Sequence, residues 1–265
     1  MPDSMLPVSA DISDSTNSIL KELAIPASKQ IGKALGNVFG LINTVTLPIK
    51  FFNEYAQRNY KIYAEKLNEI PEERIKEVEP EIAIPLMEKL SYTSNEDLAK
   101  AYTNLLANAS NKDKVDLIHP GFISKLESLS PDEAKLLEFI RKDGKKDYIY
   151  FMYKAKCSKS TKFNNITIPL TGLEKEIDTS VRKMAVYLNN LVSLSIIKDN
   201  SGFAKGDDNS YKNLRSMYSN IEEEYKKDIE NGKYPELDTL DVTKSFYSLT
   251  PLGELFIEAC TDNIS

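Results

Sequence analysis

Apolar positions in the first half of the chain recur with the period of an α-helix, from about residue 19 to about residue 141. In the first long predicted helix, these positions step alternately by four and three and therefore share one stripe: Ile31, Leu35, Val38, Ile42, Val45 and Ile49. Pro48 predicts a kink or an end to that helix, and a second amphipathic helix is predicted over residues 49–68. The pattern thus predicts long helices that need a partner surface.

Shorter helices are predicted after residue 70. Pro71 is expected to open a helix that continues to Val78, and Pro80 and Pro85 are expected to interrupt the following segment. Thr93 and Ser94 offer caps for a helix that ends near residue 109.

Two further helix starts are visible in the sequence. His119-Pro120 is expected to start a short helix that contains Phe122. Ser130-Pro131-Asp132-Glu133 combines a serine cap, a proline in the first turn and a glutamate that can reach back to the cap. The helix that it opens is predicted to end at Gly144.

The pattern changes character after residue 145. Residues 148–153 and 166–168 are predicted to be extended, and the helical period returns over 173–191. A strand over 195–199, a loop over 201–210, an exposed charged helix over 210–231, a strand over 245–249 and a last helix after Thr250-Pro251 are then predicted. In the last helix, Leu252, Leu255, Phe256 and Ala259 are expected on the buried face.

This order resembles a winged helix-turn-helix, in which a hairpin follows the recognition helix. The residues that carry the similarity are Tyr187-Leu188-Asn189-Asn190-Leu191, Ser195-Ile196-Ile197 and Tyr247-Ser248-Leu249-Thr250-Pro251-Leu252-Gly253. The predicted fold class is mainly α, with an N-terminal helical domain followed by a winged helix-turn-helix-like α+β C-terminal domain. The predicted domains are a disordered arm (1–18), a helical domain (19–128) and a winged-helix-like domain (129–265) with a charged helical insertion at about 201–234.

Composition excludes little and supports no single partner. The chain has 34 basic and 40 acidic residues and a net charge of −6, so no global attraction to nucleic acid or anionic membranes is expected. Cys157 and Cys260 are the only cysteines, which fits a reducing compartment and structural thiols. The first 17 residues lack the basic start of a secretory signal, so export by that route is not expected.

Gly32, Gly36 and Gly40 lie four residues apart in the first predicted helix. Each glycine in a helix interior costs about 1 kcal/mol relative to alanine, so an offsetting gain from close helix packing is expected. The uncharged run over 34–49 is shorter than the roughly 20 apolar residues of a membrane span. A packed helix in a soluble bundle is therefore favoured, and conditional membrane binding is the alternative.

The sequence contains no recognisable reaction centre. His119 is the sole histidine and is expected to help cap a helix rather than to act as a general acid or base. Walker, dinucleotide, zinc and nucleophile-elbow motifs are absent. We therefore expect no enzyme activity, no cofactor, no metal and no small-molecule substrate, with an unrecognised hydrolase as a third hypothesis.

Basic residues concentrate around the predicted strand at 148–153. The nucleic-acid candidates are Lys145, Lys146, Lys154 and Lys156 in this region, with Arg182 and Lys183 on the predicted recognition helix. Aromatic residues lie between them, and lysines with aromatic side chains can hold phosphates and stack on bases. Aromatic residues in the core next to a solvated loop are the favoured interpretation.

A series of short sequence motifs resembles the signature of the abortive-infection alpha family of bacterial phage-resistance proteins. These motifs are Glu79-Pro80, Pro85-Leu86, Leu90-Ser91-Tyr92, Asn95-Glu96-Asp97-Leu98, Leu105-Leu106-Ala107-Asn108-Ala109, His119-Pro120-Gly121-Phe122 and Leu129-Ser130-Pro131-Asp132-Glu133-Ala134. The resemblance implies a bacterial cytoplasmic protein that limits phage propagation, and it supplies no catalytic residues.

Two hypotheses follow from the resemblance and the residues together. The first is a non-enzymatic interaction or effector protein that binds a protein partner or itself, with peripheral association with the inner face of the membrane in its active state. The alternative is a winged-helix regulator that binds nucleic acid.

Overall fold

The computed structural model describes residues 54–206 and 208–262. These residues form two compact units. One contains the described residues up to Glu138 and those from Leu255 onward, and the other contains the described part of Phe139–Glu254. The fold is mainly helical, with an antiparallel sheet in the second unit, so the coarse fold class is confirmed. The boundaries predicted from the sequence stay predictions.

Helices build the first unit. They are α1 (Glu54–Asn68), α2 (Pro80–Tyr92), α3 (Glu96–Ala109), α4 (Gly121–Glu127) and the part up to Glu138 of α5 (Pro131–Asp143), with single 3₁₀ turns at Glu72–Arg74 and Val115–Leu117. The first three helices pack on one another through buried side chains that include Tyr60, Tyr63, Leu86, Leu90 and Leu105. The described part of the predicted helix over 49–68 is therefore confirmed, whereas Gly32, Gly36 and Gly40 lie outside the described residues.

The helix predicted over 71–78 is wrong. Only one 3₁₀ turn forms, and the chain then runs extended as far as residue 79. The Lys76 N–H donates to the Ser110 carbonyl at 2.9 Å, and the Lys112 N–H donates to the Arg74 carbonyl at 2.9 Å. Because the chain after α3 satisfies these backbone groups, the segment can bury Ile75 and Val78 without forming a helix.

The predicted interruption by Pro85 is also wrong, since α2 continues through it. Pro80 occupies the first turn, where a missing N–H costs nothing, but Pro85 removes one internal hydrogen bond. Burial of Leu86, Met87 and Leu90 on the next turns offsets that loss.

Backbone groups at several helix ends are satisfied by short-range hydrogen bonds. Ser130 and Glu133 form the predicted capping box at the start of α5. The Ser130 N–H donates to Glu133 Oε2 at 2.6 Å, and the Glu133 N–H donates to Ser130 Oγ at 3.3 Å. The predicted cap by His119 is confirmed, since its Nδ1 accepts from the Gly121 N–H at 3.0 Å. Gly144, at φ +69°, ends α5 as predicted.

The predicted cap of α3 is wrong. Asn95, rather than Thr93 or Ser94, caps this helix, because its Oδ1 accepts from the Leu98 N–H at 3.1 Å. The Thr93 hydroxyl instead donates to the Lys89 carbonyl at the end of α2, at 2.7 Å.

The second unit is built around an antiparallel sheet. Its further elements are β1 (Asp147–Lys156), β2 (Phe163–Asn165), α6 (Leu173–Glu176), α7 (Val181–Ser193), β3 (Ile197–Asp199), α8 (Asp208–Ser216), α9 (Ser219–Glu230), β4 (Thr239–Leu249) and α10 (Pro251–Cys260). The strand order is β2-β1-β4-β3, with Tyr148 opposite Tyr247 and Lys198 opposite Ser248. Helix α10 begins in this unit and ends in the first.

Two predictions between β1 and β3 need correction. The strand predicted over 166–168 lies earlier, at β2. At residue 167 the Thr167 hydroxyl accepts from the Tyr153 N–H at 2.8 Å, so a side chain replaces the backbone hydrogen bond that a strand would make. The single helical stretch over 173–191 is two helices. Asp178, at φ +52°, breaks it, and Ser180 caps α7 by accepting from the Lys183 N–H at 3.2 Å.

The charged insertion is two helices rather than one exposed helix. Tyr211, Leu214 and Tyr218 are buried and join the core cluster around Phe151 and Tyr153. Charged residues occupy the outer side of α8 and α9, which is why the sequence suggested a solvated helix. The insertion is thus part of the hydrophobic core of the second unit.

The last helix begins as predicted, since Thr250 Oγ1 accepts from the Gly253 N–H at 2.9 Å. Its predicted buried face is half wrong. Phe256 and Ala259 are buried, whereas Leu252 and Leu255 are 37% and 42% exposed.

Candidate functional site in the second unit

Helix α7 presents a continuous exposed stripe. Its inner face buries four side chains, Met184, Ala185, Leu188 and Leu191, which hold the helix on the unit. Its outer face carries Arg182, Val186, Asn189 and Ser193, all exposed, with Val186 61% exposed. Steps of four, three and four residues place these side chains in one line along the helix.

The chemistry of this stripe fits the edges of nucleic-acid bases. Arginine pairs with guanine, asparagine pairs with adenine, and small apolar groups contact the methyl group of thymine. No acidic residue lies between residues 179 and 198, so nothing on α7 repels phosphates. Lys183, also exposed, lies next to Arg182 in the first turn and adds a second positive charge.

The remaining basic candidates fall into two separate pairs. Lys145 and Lys146 precede β1, whereas Lys154 and Lys156 lie at its far end. A strand of ten residues spans roughly 30 Å, so the two pairs lie at opposite ends of β1.

Several of these lysines already have acidic partners. Lys145 Nζ lies 2.9 Å from Asp143, Lys146 Nζ lies 2.7 Å from Glu254, and Lys154 Nζ lies 3.5 Å from Asp241. Such exposed pairs are weak, but they reduce the local positive potential. The first turn of α7 is therefore the better supported basic site.

The aromatic residues of β1 belong to the core. Tyr148, Tyr150, Phe151 and Tyr153 are all buried, and Phe151 and Tyr153 form an edge-to-face pair with ring centroids 5.2 Å apart. The favoured interpretation, aromatic residues in the core, is confirmed. In this structure these rings have no face open to a base.

A cleft of about 450 Å³ lies beside the turn between α5 and β1. Its apolar lining includes Phe139, Leu173 and Met217, and its polar lining includes Asp143 and Tyr148. The Tyr148 hydroxyl and Asp143 Oδ2 are both buried. Burial, reinforced by the Asp143 charge and by a hydrogen bond with the Asp143 side chain, raises the pKa of Tyr148.

Sequence reasoning missed this cleft. Its lining comes from segments more than 70 residues apart, such as Asp143 and Met217, and no sequence motif links them. In the sequence, Asp143 belongs to a basic segment and Tyr148 to a predicted strand, and neither pattern indicates a cleft.

The family model described as abortive infection alpha matches residues 53–260. The chain belongs to the abortive infection alpha family. The match includes both units, the α7 stripe and the cleft, and family membership implies a role in abortive infection by phage.

A solved structure also resembles this abortive infection alpha protein. It is an uncharacterized protein from the hydrocarbon-degrading marine bacterium Alcanivorax borkumensis SK2. The sequences are 19% identical, the similarity covers 55% of this chain and 92% of the other, and the TM-score is 0.31. No curated protein sequence matches the chain.

Two other chemically capable residues of this abortive infection alpha protein, His119 and Cys260, are held in structural positions. His119 is engaged in the cap of α4. Cys260 is buried, and burial raises the pKa of its thiol. Hydrogen bonding with the Ser160 side chain lowers the pKa of Cys157, which follows β1.

In 54–206 and 208–262, no group of three or more histidine, cysteine or acidic side chains could hold a metal ion. Within the same residues, no helix combines the length and the apolar character needed to cross a membrane.

Proposed function

We propose that this chain is a non-enzymatic abortive-infection protein of the bacterial cytoplasm, and that its second unit is a winged-helix-like module that binds double-stranded nucleic acid through α7. The observation that carries this proposal is the exposed, acid-free stripe of Arg182, Val186, Asn189 and Ser193. The first unit then serves as the effector or partner-binding part, through a protein partner or self-association.

The order of elements supports the winged-helix assignment. A winged helix-turn-helix combines three helices with a small antiparallel sheet, and its third helix enters the major groove. The end of α5 and then β1, α6, α7, β3 and β4 follow one another in this unit, and β4 lies between β1 and β3 in the sheet. In this proposal α7 serves as the recognition helix, and α8 and α9 lie in the β3–β4 connection, where a wing would lie.

Electrostatics supports the same surface. Ser180 caps α7, and the helix dipole places partial positive charge at that end. Arg182 and Lys183 add full charges on the same turn. An approaching phosphate therefore meets two cations and no carboxylate on this helix.

Fluorescence anisotropy with a labelled DNA duplex tests this proposal. We expect binding that weakens as salt rises, because bound lysine and arginine displace counterions from the phosphates. Arg182→Ala combined with Asn189→Ala is expected to weaken binding about tenfold or more. Lys227→Ala, which removes an exposed charge from α9, is the matched control and is expected to change little.

Two results would contradict the proposal. Absence of binding at low salt would exclude a nucleic-acid module and leave an interaction module for proteins. Equal losses from the double variant and from Lys227→Ala would show that charge alone, and not the α7 surface, causes binding.

A further inference from the structure

The first unit contains a pocket, called here the amide pocket, that is lined by Asn104, Asn108 and Asn111 and lies where α1, α3 and α10 end. Its volume is about 360 Å³, within the roughly 300–1,000 Å³ that is common for small-molecule sites. Ile70 and Pro71 form an apolar wall. Because Pro71 is exposed, the pocket can be reached from solvent.

Two asparagines in this pocket use one half of the side-chain amide and leave the other half open. Asn104 Nδ2 donates to the Cys260 carbonyl at 3.2 Å, and Asn108 Nδ2 donates to the Ala259 carbonyl at 2.9 Å, so both amides cap the end of α10. Asn104 and Asn108 are only 4% and 8% exposed, and their Oδ1 atoms accept no hydrogen bond from any described residue. Neither oxygen is among the fully enclosed polar atoms of those residues, so both face the pocket. A molecule that supplies N–H donors would satisfy them.

The spacing of the two oxygens fits a planar amino group. Asn104 and Asn108 are four residues apart on α3, which places their Cβ atoms roughly 5–6 Å apart on one face. An amino group whose two N–H bonds diverge by about 120°, each reaching an oxygen at about 2.9 Å, needs acceptors about 5 Å apart. One amino group can therefore donate to both oxygens.

Asn111 supplies the opposite polarity three residues after Asn108. Its Oδ1 accepts from the Asp113 N–H at 2.9 Å, whereas its Nδ2 donates to none of the described residues. The pocket thus offers two acceptors followed by one donor. An edge of adenine has the complementary order, since its amino group lies beside a ring nitrogen that accepts.

The charged side chains around the pocket favour an uncharged ligand. The lining contains two lysines, Lys66 and Lys114, and two carboxylates, Glu69 and Asp262. Lys66 Nζ lies 2.9 Å from Asp262, and Lys100 Nζ lies 2.6 Å from the same carboxylate. The charges in the lining balance, and the partial negative charge at the ends of three helices opposes a phosphate group.

We propose that the amide pocket binds an amino-substituted nucleobase of the adenine type, as the free base or as an uncharged nucleoside. The amino group donates to Asn104 Oδ1 and Asn108 Oδ1, and the neighbouring ring nitrogen accepts from Asn111 Nδ2. The ring lies against Ile70 and Pro71. This site belongs to a different unit from the α7 stripe and does not depend on nucleic-acid binding.

Isothermal titration calorimetry of the full chain with adenosine tests this proposal. Saturable binding at one site is expected, and because adenosine is uncharged, its affinity is expected to change little as salt rises. Inosine is the matched probe, because an oxo group replaces the amino group and the neighbouring ring nitrogen carries a proton. Both polarities are then inverted, so inosine is expected to bind at least about tenfold more weakly.

Variants of the pocket identify the contacts. Asn104→Ala and Asn108→Ala each remove one acceptor and are each expected to weaken adenosine binding about fivefold or more. Asn59→Ala is the matched control, because Asn59 is buried in the same unit and caps the end of α2, outside the pocket, by donating to the Leu90 carbonyl at 2.8 Å. Its affinity for adenosine is expected to stay unchanged. Ala107→Leu fills the pocket, leaves both amide bonds to α10 in place and is expected to abolish binding.

Absence of saturable adenosine binding would overturn the proposal. Equal affinity for adenosine and inosine would also overturn it, as would affinities that Asn104→Ala and Asn108→Ala lower no more than Asn59→Ala does. Circular dichroism of each variant shows whether it folds. If the asparagine variants do not fold, Ala107→Leu and the comparison of the two nucleosides on the unsubstituted chain decide the outcome.

Discussion

Arg215 of α8 and Glu222 of α9 form a two-bond ion pair, in which Nε and Nη2 of the guanidinium each donate to the carboxylate at 2.6 Å. The Tyr153 hydroxyl of β1 donates to the same carboxylate at 2.8 Å, and Lys226 Nζ lies 2.8 Å from it. One carboxylate thus joins both insertion helices to the sheet.

We expect this ion pair to make a pH-dependent contribution to the free energy of unfolding. Hydrogen bonds from Arg215, and then from Lys226 and Tyr153, lower the pKa of Glu222 to about 2, below its ordinary value of about 4.3. Because the folded pKa is the lower one, the contribution is fully present above about pH 4.3 and is lost as the pH falls towards 2. The Arg215 side chain is 41% exposed, so solvent screening limits the effect to about 1 kcal/mol at neutral pH.

Urea denaturation measures this effect. Glu222→Gln is expected to lower the free energy of unfolding at pH 7, and the difference from the unsubstituted chain is expected to shrink between pH 4 and pH 2. Glu223→Gln, at the exposed neighbouring position, is the control. A difference that stays constant down to pH 2 would contradict the assigned pKa.

The hydrogen bonds of Tyr218 lead us to expect that the insertion stabilises the second unit. Its hydroxyl donates to the buried Glu174 carboxylate and accepts from the Gly172 N–H at 2.7 Å. Tyr218→Phe would remove both bonds and is expected to cost about 2 kcal/mol in the free energy of unfolding. Tyr225→Phe on α9 is the matched control, and thermal unfolding of both variants makes the comparison. Equal stabilities would show that the insertion does not contribute in this way.

Gly253 is required for the start of α10 beside β3. A Cβ at this position would overlap the Ile196 backbone carbonyl, and that carbonyl is held in place by the Thr250 N–H at 3.1 Å. Backbone cannot move aside as a flexible side chain can, so Gly253→Ala is expected to destabilise the chain by about 3 kcal/mol.

Gly232→Ala separates this steric effect from backbone strain. Gly232 has φ +71° and open space around it, so alanine there is expected to cost only about 1 kcal/mol. Thermal unfolding of the two variants provides the measurement. A smaller loss for Gly253→Ala than for Gly232→Ala would contradict the close approach to β3.

The row of three glycines in the first predicted helix, called here the glycine ladder, leads to a prediction that rests on the sequence. If Gly32, Gly36 and Gly40 permit close helix packing, Gly36→Leu is expected to lower stability by about 2 kcal/mol, and Asn37→Leu, off the ladder, by less. Chemical denaturation tests the packing role. Dye release from liposomes by the unsubstituted chain, lost in Gly36→Leu, would instead support the membrane alternative.

Local signals in the sequence predicted local structure well. The reciprocal box of Ser130 and Glu133, the His119 cap and the Thr250 cap each involve residues two or three positions apart, so the sequence places the donor and the acceptor together. The predictions for Pro85 and for residues 71–78 failed because backbone partners or burial supplied from elsewhere in the unit overruled the local preference.

The sequence by itself determined the helical character of the chain, its family and several helix starts and ends, since these depend on periodicity, capping and short motifs. Only the tertiary structure decided which of the basic and aromatic residues are exposed, that the insertion enters the core, and that Asp143 and Tyr148 share a cleft with Met217. The physical reason is the separation in sequence between the residues that interact. Hydrogen bonds within one helical turn are encoded by neighbouring residues, whereas burial and pocket formation depend on segments that the fold brings together from more than 70 residues apart.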